Sequence, residues 1–174
     1  MTIRAKICVA ALALLGTGCG VFGKDFTVSR TVGVHASMTD PACQDDNLTF
    51  NLADDKTFND IKGNVYSMEL KKVVVEVVNP KTDDSSVATR ANGSISVSAM
   101  VGGELLSLGT YQDVPLTAGA NQEIPFDKSA AQRTIDLALH PPNTFFITSH
   151  GCADAVPAFF DFKVAMTFYA TLGI

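Results

Sequence analysis

Apolar and polar residues alternate with a period of two over much of the chain after residue 25, which is the spacing of a strand with one buried face. The clearest case lies near the C-terminus, where Asp161 and Lys163 stand between apolar neighbours. The apolar positions of this run are Phe160, Phe162, Val164, Met166, Phe168 and Ala170. We expect these side chains to face the core of a β-sheet protein.

The same kind of pattern predicts further strands elsewhere in the chain. They cover residues 26–34, 48–52, 66–78, 95–101, 104–108 and 144–149. Gly102-Gly103 separates two of these runs and predicts a tight hairpin. Short extended segments at 114–116 and 123–126 contain Pro115 and Pro125, which favours edge strands or loops because proline cannot donate to a sheet ladder.

The run at 66–78 changes parity once. Met68 and Leu70 share one parity, whereas Val73 and the valines after it share the other, with two lysines between them. A β-bulge at Lys71-Lys72 would return both halves to the same core face.

One helix is predicted near residues 128–140, and a single turn near 58–61 is a weaker candidate. Asp127 or Ser129 can cap the longer helix, with Ser129 and Gln132 at the spacing of a capping box. Its expected buried stripe is Ala130, Ala131, Ile135, Ala138 and Leu139, and Pro141-Pro142 stops it.

Seven or eight strands with one short helix predict an all-β fold, an antiparallel β-sandwich of immunoglobulin-like architecture. The chain has no Trp, so one sequence hallmark of true immunoglobulin domains is absent. We assign residues 25–174 to a single β-sandwich domain.

Composition limits the partners this domain can have. The 174 residues are 47% hydrophobic and 18% charged, which fits a folded domain and not a disordered chain. The net charge is −5 with 13 Lys and Arg and no basic run, so the sequence argues against nucleic-acid binding.

The first 18 residues have the organisation of an export signal. Arg4 and Lys6 precede an apolar segment from 7 to 15, and small residues follow it. The ending Gly16-Thr17-Gly18-Cys19 resembles a bacterial lipobox. The resemblance implies cleavage before Cys19, a diacylglyceryl group on its sulfur that anchors it in a membrane, and residues 19–24 as a short tether. A cleaved signal without lipid is the alternative.

The same resemblance implies a location in the bacterial cell envelope. Gly20, and not Asp, follows the lipidated position, which in such lipoproteins favours the outer membrane. Which membrane face carries the domain stays open.

The remaining cysteines support export. Cys8 lies in the signal and Cys19 at its end, which leaves Cys43 and Cys152 for the folded domain. A pair of cysteines in an exported protein predicts a disulfide. The alternative is a metal or catalytic thiol site with His35 or His150, although no C-x-x-C or H-x-x-x-H spacing is present.

Acidic residues cluster between the early strands, and calcium is the only cofactor they suggest. Calcium takes six to eight oxygen ligands, which loops at one end of a sandwich can supply. The candidate ligands are Asp40, Asp45, Asp46, Asp54, Asp55 and Asp60. The alternative is that these residues are solvated turn and strand-end positions, since the EF-hand spacing is absent.

No nucleophile elbow, P-loop, H-E-x-x-H or dinucleotide motif occurs. The leading hypothesis is a lipid-anchored, non-catalytic envelope protein that binds or scaffolds another protein of the envelope. The second is a carbohydrate- or small-molecule-binding module, with or without calcium, whose pocket is lined by Tyr111, Tyr66 or the off-parity Phe146 and Phe159. The third is an envelope hydrolase in which His150 or His35 lies beside a Ser, Cys or carboxylate.

Overall fold

The structure is a computed structural model that describes residues 22–80, 86–100 and 102–173. The signal, Cys8 and the lipobox-like Cys19 lie outside these residues. The described part contains eight strands and two α-helices. The strands are β1 (Phe22–Ala36), β2 (Cys43–Asn51), β3 (Val65–Val77), β4 (Arg90–Ser98), β5 (Leu106–Pro115), β6 (Asn121–Glu123), β7 (Thr144–Ala153) and β8 (Ala158–Leu172). The helices are α1 (Lys56–Ile61) and α2 (Lys128–Leu139), and 3₁₀ turns at Leu52–Asp54 and Lys62–Asn64 flank α1.

The strands form two four-stranded antiparallel sheets with the orders β1-β8-β3-β6 and β2-β7-β4-β5. The first strand pairs with the last, the second with the seventh, the third with the sixth and the fourth with the fifth. This is the order of a long antiparallel ribbon rolled up on itself, a jelly roll.

The predicted antiparallel β-sandwich is therefore confirmed. The strand order refines the immunoglobulin-like expectation, because an immunoglobulin sandwich groups its strands as ABED and CFG. Alternation within strands predicts which face is buried but carries no information on which strands are neighbours, so the two sandwiches look alike in sequence.

The core lies between the two sheets. All six apolar positions predicted for the C-terminal run are buried in β8, with exposures of 0 to 2%. Strand β8 lies between β1 and β3, so both of its edges are paired. The opposite sheet covers its inner face. Burying one of the Phe, Val or Met side chains on this face stabilises the fold by about 1.5–3 kcal/mol.

The predicted bulge is confirmed at its position, whereas the predicted hairpin has a longer loop than expected. The register of β3 against β8 shifts between Leu70 and Lys72, which confirms the bulge at the two lysines. Strands β4 and β5 form the predicted hairpin, but seven residues, 99–105, connect them in place of a two-residue turn. Gly102 has a positive φ of 70° within this longer loop.

Both helices begin at aspartate caps. Asp55 accepts from the backbone N–H of Phe58 at the start of α1, and Asp127 accepts from Ser129 and Ala130 at the start of α2. The Ser129–Gln132 capping box is wrong, because Gln132 donates to Asp136 instead. The predicted stripe of α2 is buried at Ala130, Ala131, Ile135 and Ala138, while Leu139 is half-buried.

The sandwich has two distinguishable ends. We call the end at which β1 begins the proximal end; the chain segments 52–64 and 124–143 and the described parts of 99–105 lie there. The opposite or distal end carries the segments 37–42, 116–120 and 154–157 and the described parts of 78–89. None of the helices in the described ranges has the length and apolar character needed to cross a bilayer.

Candidate functional site

A disulfide joins Cys43 to Cys152, as the cysteine count predicts. The two residues are direct partners in the β2–β7 ladder, 109 residues apart in sequence. Strand β2 is the edge of its sheet and Cys43 is exposed, whereas Cys152 lies on the inner strand β7 and is half-buried. The bond therefore holds an edge strand to the sheet and leaves its two sulfurs in different surroundings.

His150 and Asp45 complete a cluster around the disulfide. They face each other two positions along the same ladder, so alternation places them on the outer face with the two cysteines. His150 Nδ1 lies 2.6 Å from Asp45 Oδ1, and His150 Nε2 lies 3.5 Å from Cys152 Sγ. A carboxylate at Nδ1 orients the imidazole and assigns the proton of that nitrogen, so Nε2 is the atom that meets the sulfur.

A third strand borders this cluster. On β4, Ser94 is the direct partner of His150 and Asn92 is the direct partner of Cys152. The row Ser94, His150, Asp45 thus crosses three strands, but no hydrogen bond joins Ser94 to His150 among the described residues. His150 reaches a carboxylate and a sulfur, as the hydrolase hypothesis requires, and that sulfur is bonded to Cys43.

A small cleft opens beside the cluster, between the edge strands β1 and β2. It has a volume of about 180 Å³ and is lined by Asp45 together with Val32 and Phe162. This is well below the volume of a typical small-molecule site.

The other two histidines have no nucleophile beside them in the described contacts. His35 Nε2 lies 3.7 Å from Asp161 Oδ1, and its ring packs against Phe159. His140 Nδ1 lies 2.7 Å from the carbonyl oxygen of Asp136 at the end of α2, where it interacts with the helix dipole.

The candidate calcium ligands do not converge. Asp40 lies in the distal segment, where its carboxylate accepts from the hydroxyl and the backbone N–H of Ser37 at 2.7 and 2.8 Å. These hydrogen bonds, the hydroxyl first, lower the pKa of Asp40. Asp45 is occupied by His150, and Asp46 accepts from the N–H of Asn47.

The other three aspartates belong to the proximal end. Asp54 lies 3.8 Å from Arg30, and Asp60 pairs with Lys56 at 2.7 Å; Asp55 is the cap of α1. Each carboxylate therefore has a local partner, and the six are split between opposite ends of the sandwich.

The two tyrosines expected to line a ligand pocket do not line the cleft beside the disulfide; one is buried and the other is exposed. Tyr111 is 1% exposed and lies across the cross-strand glycine pair Gly93–Gly151. Burial raises the pKa of Tyr111 to about 12, offset in part by the nearby Ser149 hydroxyl, yet the phenol oxygen lacks a hydrogen bond of standard geometry among the described residues. Tyr66 is 84% exposed at the start of β3.

Comparison with known proteins gives a likeness of fold. No protein family matches the chain, and no curated protein matches it either. A capsid protein of BFDV from a decameric assembly is 12% identical with a TM-score of 0.49, over 87% of this chain and 99% of that one. Turnip yellow mosaic virus is 12% identical with a TM-score of 0.39, over 89% and 96%. At such identities nothing about function follows.

Proposed function

We propose that this protein is a lipid-anchored, non-catalytic component of the bacterial envelope whose jelly-roll domain binds or scaffolds a protein partner through its distal end. The observation that carries the proposal is the course of β1. This strand begins at Phe22, three residues after Cys19, and its 15 residues end at the distal loops. A strand of that length spans about 50 Å, so an anchor at Cys19 would hold the distal end that far from the lipid.

The distal end carries exposed apolar side chains and carboxylates. Met38 is 78% exposed and Val87 is 53% exposed, and both lie in distal segments. Two carboxylates belong to the same end. Asp40 accepts a hydrogen bond from the Ser37 hydroxyl, and Asp154 accepts one from the Thr89 hydroxyl. Exposed apolar side chains and carboxylates at one end of the sandwich suit a partner surface with apolar and basic side chains.

The non-catalytic part of the proposal rests on the surroundings of the three histidines. Of the three, His150 alone reaches a carboxylate and a sulfur, and that sulfur is bonded to Cys43, so it offers no free thiol as a hydrolytic nucleophile; His35 and His140 face a carboxylate and a carbonyl oxygen.

The anchor is tested by the intact mass of the protein extracted from bacterial membranes. We expect residues 19–174 plus acyl chains, and we expect a Cys19→Ser chain to leave the membrane fraction. An unlipidated mass would contradict the anchor.

The distal surface is tested by photo-crosslinking in intact cells from a probe at position 38. We expect one reproducible protein adduct that disappears when Val87→Ser is added. The matched control is a probe at Met100, which is 63% exposed in the proximal segment 99–105 and should give no such adduct. Equal adducts from both positions would contradict a distal binding surface.

A further inference from the structure

We propose that the Cys43–Cys152 disulfide is a thiol–disulfide exchange site, in which an incoming thiolate attacks Cys43 Sγ and Cys152 leaves as a thiolate beside His150. The substrate class is a thiol, either a small molecule or an exposed cysteine of another protein. The inference goes beyond the binding role proposed above and does not depend on the lipid anchor.

The two sulfurs differ in access. A thiolate must approach a disulfide in line with the S–S bond, so the sulfur with open surroundings is the one attacked. Cys43 is exposed at the start of the edge strand β2, while Cys152 is half-buried between β2 and β4. Attack is therefore directed at Cys43.

The two sulfurs also differ as leaving groups. A thiol leaves faster when its thiolate is stabilised, and a neighbouring imidazolium is one of the groups that stabilise a thiolate. His150 Nε2 lies 3.5 Å from Cys152 Sγ, and the hydrogen bond of 2.6 Å to Asp45 holds the ring in that position. Asp45 also balances the charge of the ring when Nε2 carries a proton, so the cluster favours departure of Cys152.

The other polar and charged groups near His150 do not stabilise the Cys152 thiolate in its place. On β4, Asn92 and Ser94 are opposite Cys152 and His150, and Arg90 occupies the next position on that face, where it donates to the carbonyl oxygen of Asp113. Asp154, just beyond β7, is bound to Thr89.

Electrons and protons balance in the exchange. The electron pair of the incoming thiolate forms a bond to Cys43 Sγ, and the pair of the broken S–S bond passes to Cys152 Sγ, which takes the proton from His150 Nε2. A second thiolate then attacks the non-protein sulfur of the mixed disulfide, and the electron pair of that S–S bond passes to Cys43 Sγ, which leaves as a thiolate and takes a proton from solvent. Two thiols are oxidised to one disulfide, and Cys43 and Cys152 are reduced.

The test uses the full chain extracted from membranes, with any free thiols first blocked by N-ethylmaleimide. Glutathione is added, the reaction is quenched with iodoacetamide, and the two cysteine peptides are identified by mass. We expect glutathione on Cys43 and the carbamidomethyl group on Cys152. Glutathione on Cys152, or on both equally, would overturn the proposal.

The role of His150 is tested by exchange rates with His150→Gln and Asp45→Asn. At equal glutathione thiolate concentration we expect each variant to react about tenfold more slowly, because the leaving thiolate loses its stabilising cation. For the native chain this rate should fall as pH is raised, because the proposed step takes a proton from His150 Nε2, and for His150→Gln it should be flat. The matched control, His35→Gln, removes a histidine that is paired with Asp161 and should leave the rate unchanged.

A purely structural role for His150 makes a different prediction. In that case His150→Gln would lower the melting temperature of the oxidised protein and leave the thiolate-normalised rate and its pH profile as they are. That result would also overturn the proposal.

Discussion

At the scale of single residues, the cluster on the outer face follows from one pairing. Once Cys43 is opposite Cys152 in an antiparallel ladder, each step forward along β2 meets a step back along β7, and Asp45 comes to face His150. The disulfide could be predicted from the sequence, but this register could not, because a disulfide alone does not place its cysteines opposite each other on paired strands. The orientation of His150 Nε2 toward the sulfur could not, because it depends on side-chain torsions.

Gly93 and Tyr111 provide a test of packing at this scale. A methyl group on Gly93 would overlap the Tyr111 hydroxyl and the carbonyl oxygen of His150. We expect Gly93→Ala to destabilise the fold by about 1–3 kcal/mol, as overpacking does, measured by denaturant unfolding. The control is Gly63→Ala, where a methyl group meets nothing within 4 Å and the change should be small. Equal stability of both variants would contradict the packing of Tyr111 described above.

At the scale of elements, parity is the information that the sequence carries best. The strands, the bulge at Lys71-Lys72 and the buried stripe of α2 all follow from which residues need a common face. Local patterns do not determine where an element ends. The length of the β4–β5 loop and the use of Asp127, and not Ser129, as the cap of α2 depend on packing between elements.

The cap of α2 has a pH dependence. Hydrogen bonds from the Ser129 hydroxyl first, and then from the N–H groups of Ala130 and Ser129, lower the pKa of Asp127. A carboxyl with a lowered pKa in the folded state contributes stability above its unfolded pKa of about 3.9 and loses it as pH falls through the lower folded value.

We therefore expect Asp127→Ala to lower the melting temperature at pH 7 but to change it less at pH 2 to 3. Calorimetry at both pH values measures the difference. Asp127→Asn, which keeps an oxygen acceptor, should retain much of the stability at pH 7. A loss with Asp127→Ala that is the same at both pH values would show that the ionised carboxylate is not what caps α2.

The disulfide supports the edge strand β2. Within its sheet β2 pairs with β7 alone, and the bond closes a loop of 109 residues. We expect reduction, or Cys43→Ser with Cys152→Ser, to lower the free energy of unfolding by about 2–5 kcal/mol. Urea unfolding with and without reductant measures this. The double variant should be insensitive to reductant, and a native chain equally insensitive would contradict the structural role.

At the scale of the whole molecule, the class of fold could be predicted and its strand order could not. A jelly roll and an immunoglobulin sandwich both need strands with one apolar face, and the selection between them lies in contacts between residues far apart in sequence. The same holds in part for the candidate site. Its cysteines can be identified from the sequence, whereas the places of Asp45 and Ser94 beside His150 depend on which strands pair.

The pairing of β1 with β8 also constrains the order of folding. All 15 residues of β1 find their sheet partners in the segment Ala158–Leu172, so a ribosome or a translocation pore that releases the N-terminal part first leaves β1 without a neighbour in its sheet. Strand β3 pairs with the same segment along almost its whole length, so it also lacks this partner until the segment is released. This sheet therefore closes only after nearly all of the chain has emerged, and until then the early strands expose unpaired edges on which chaperones can act.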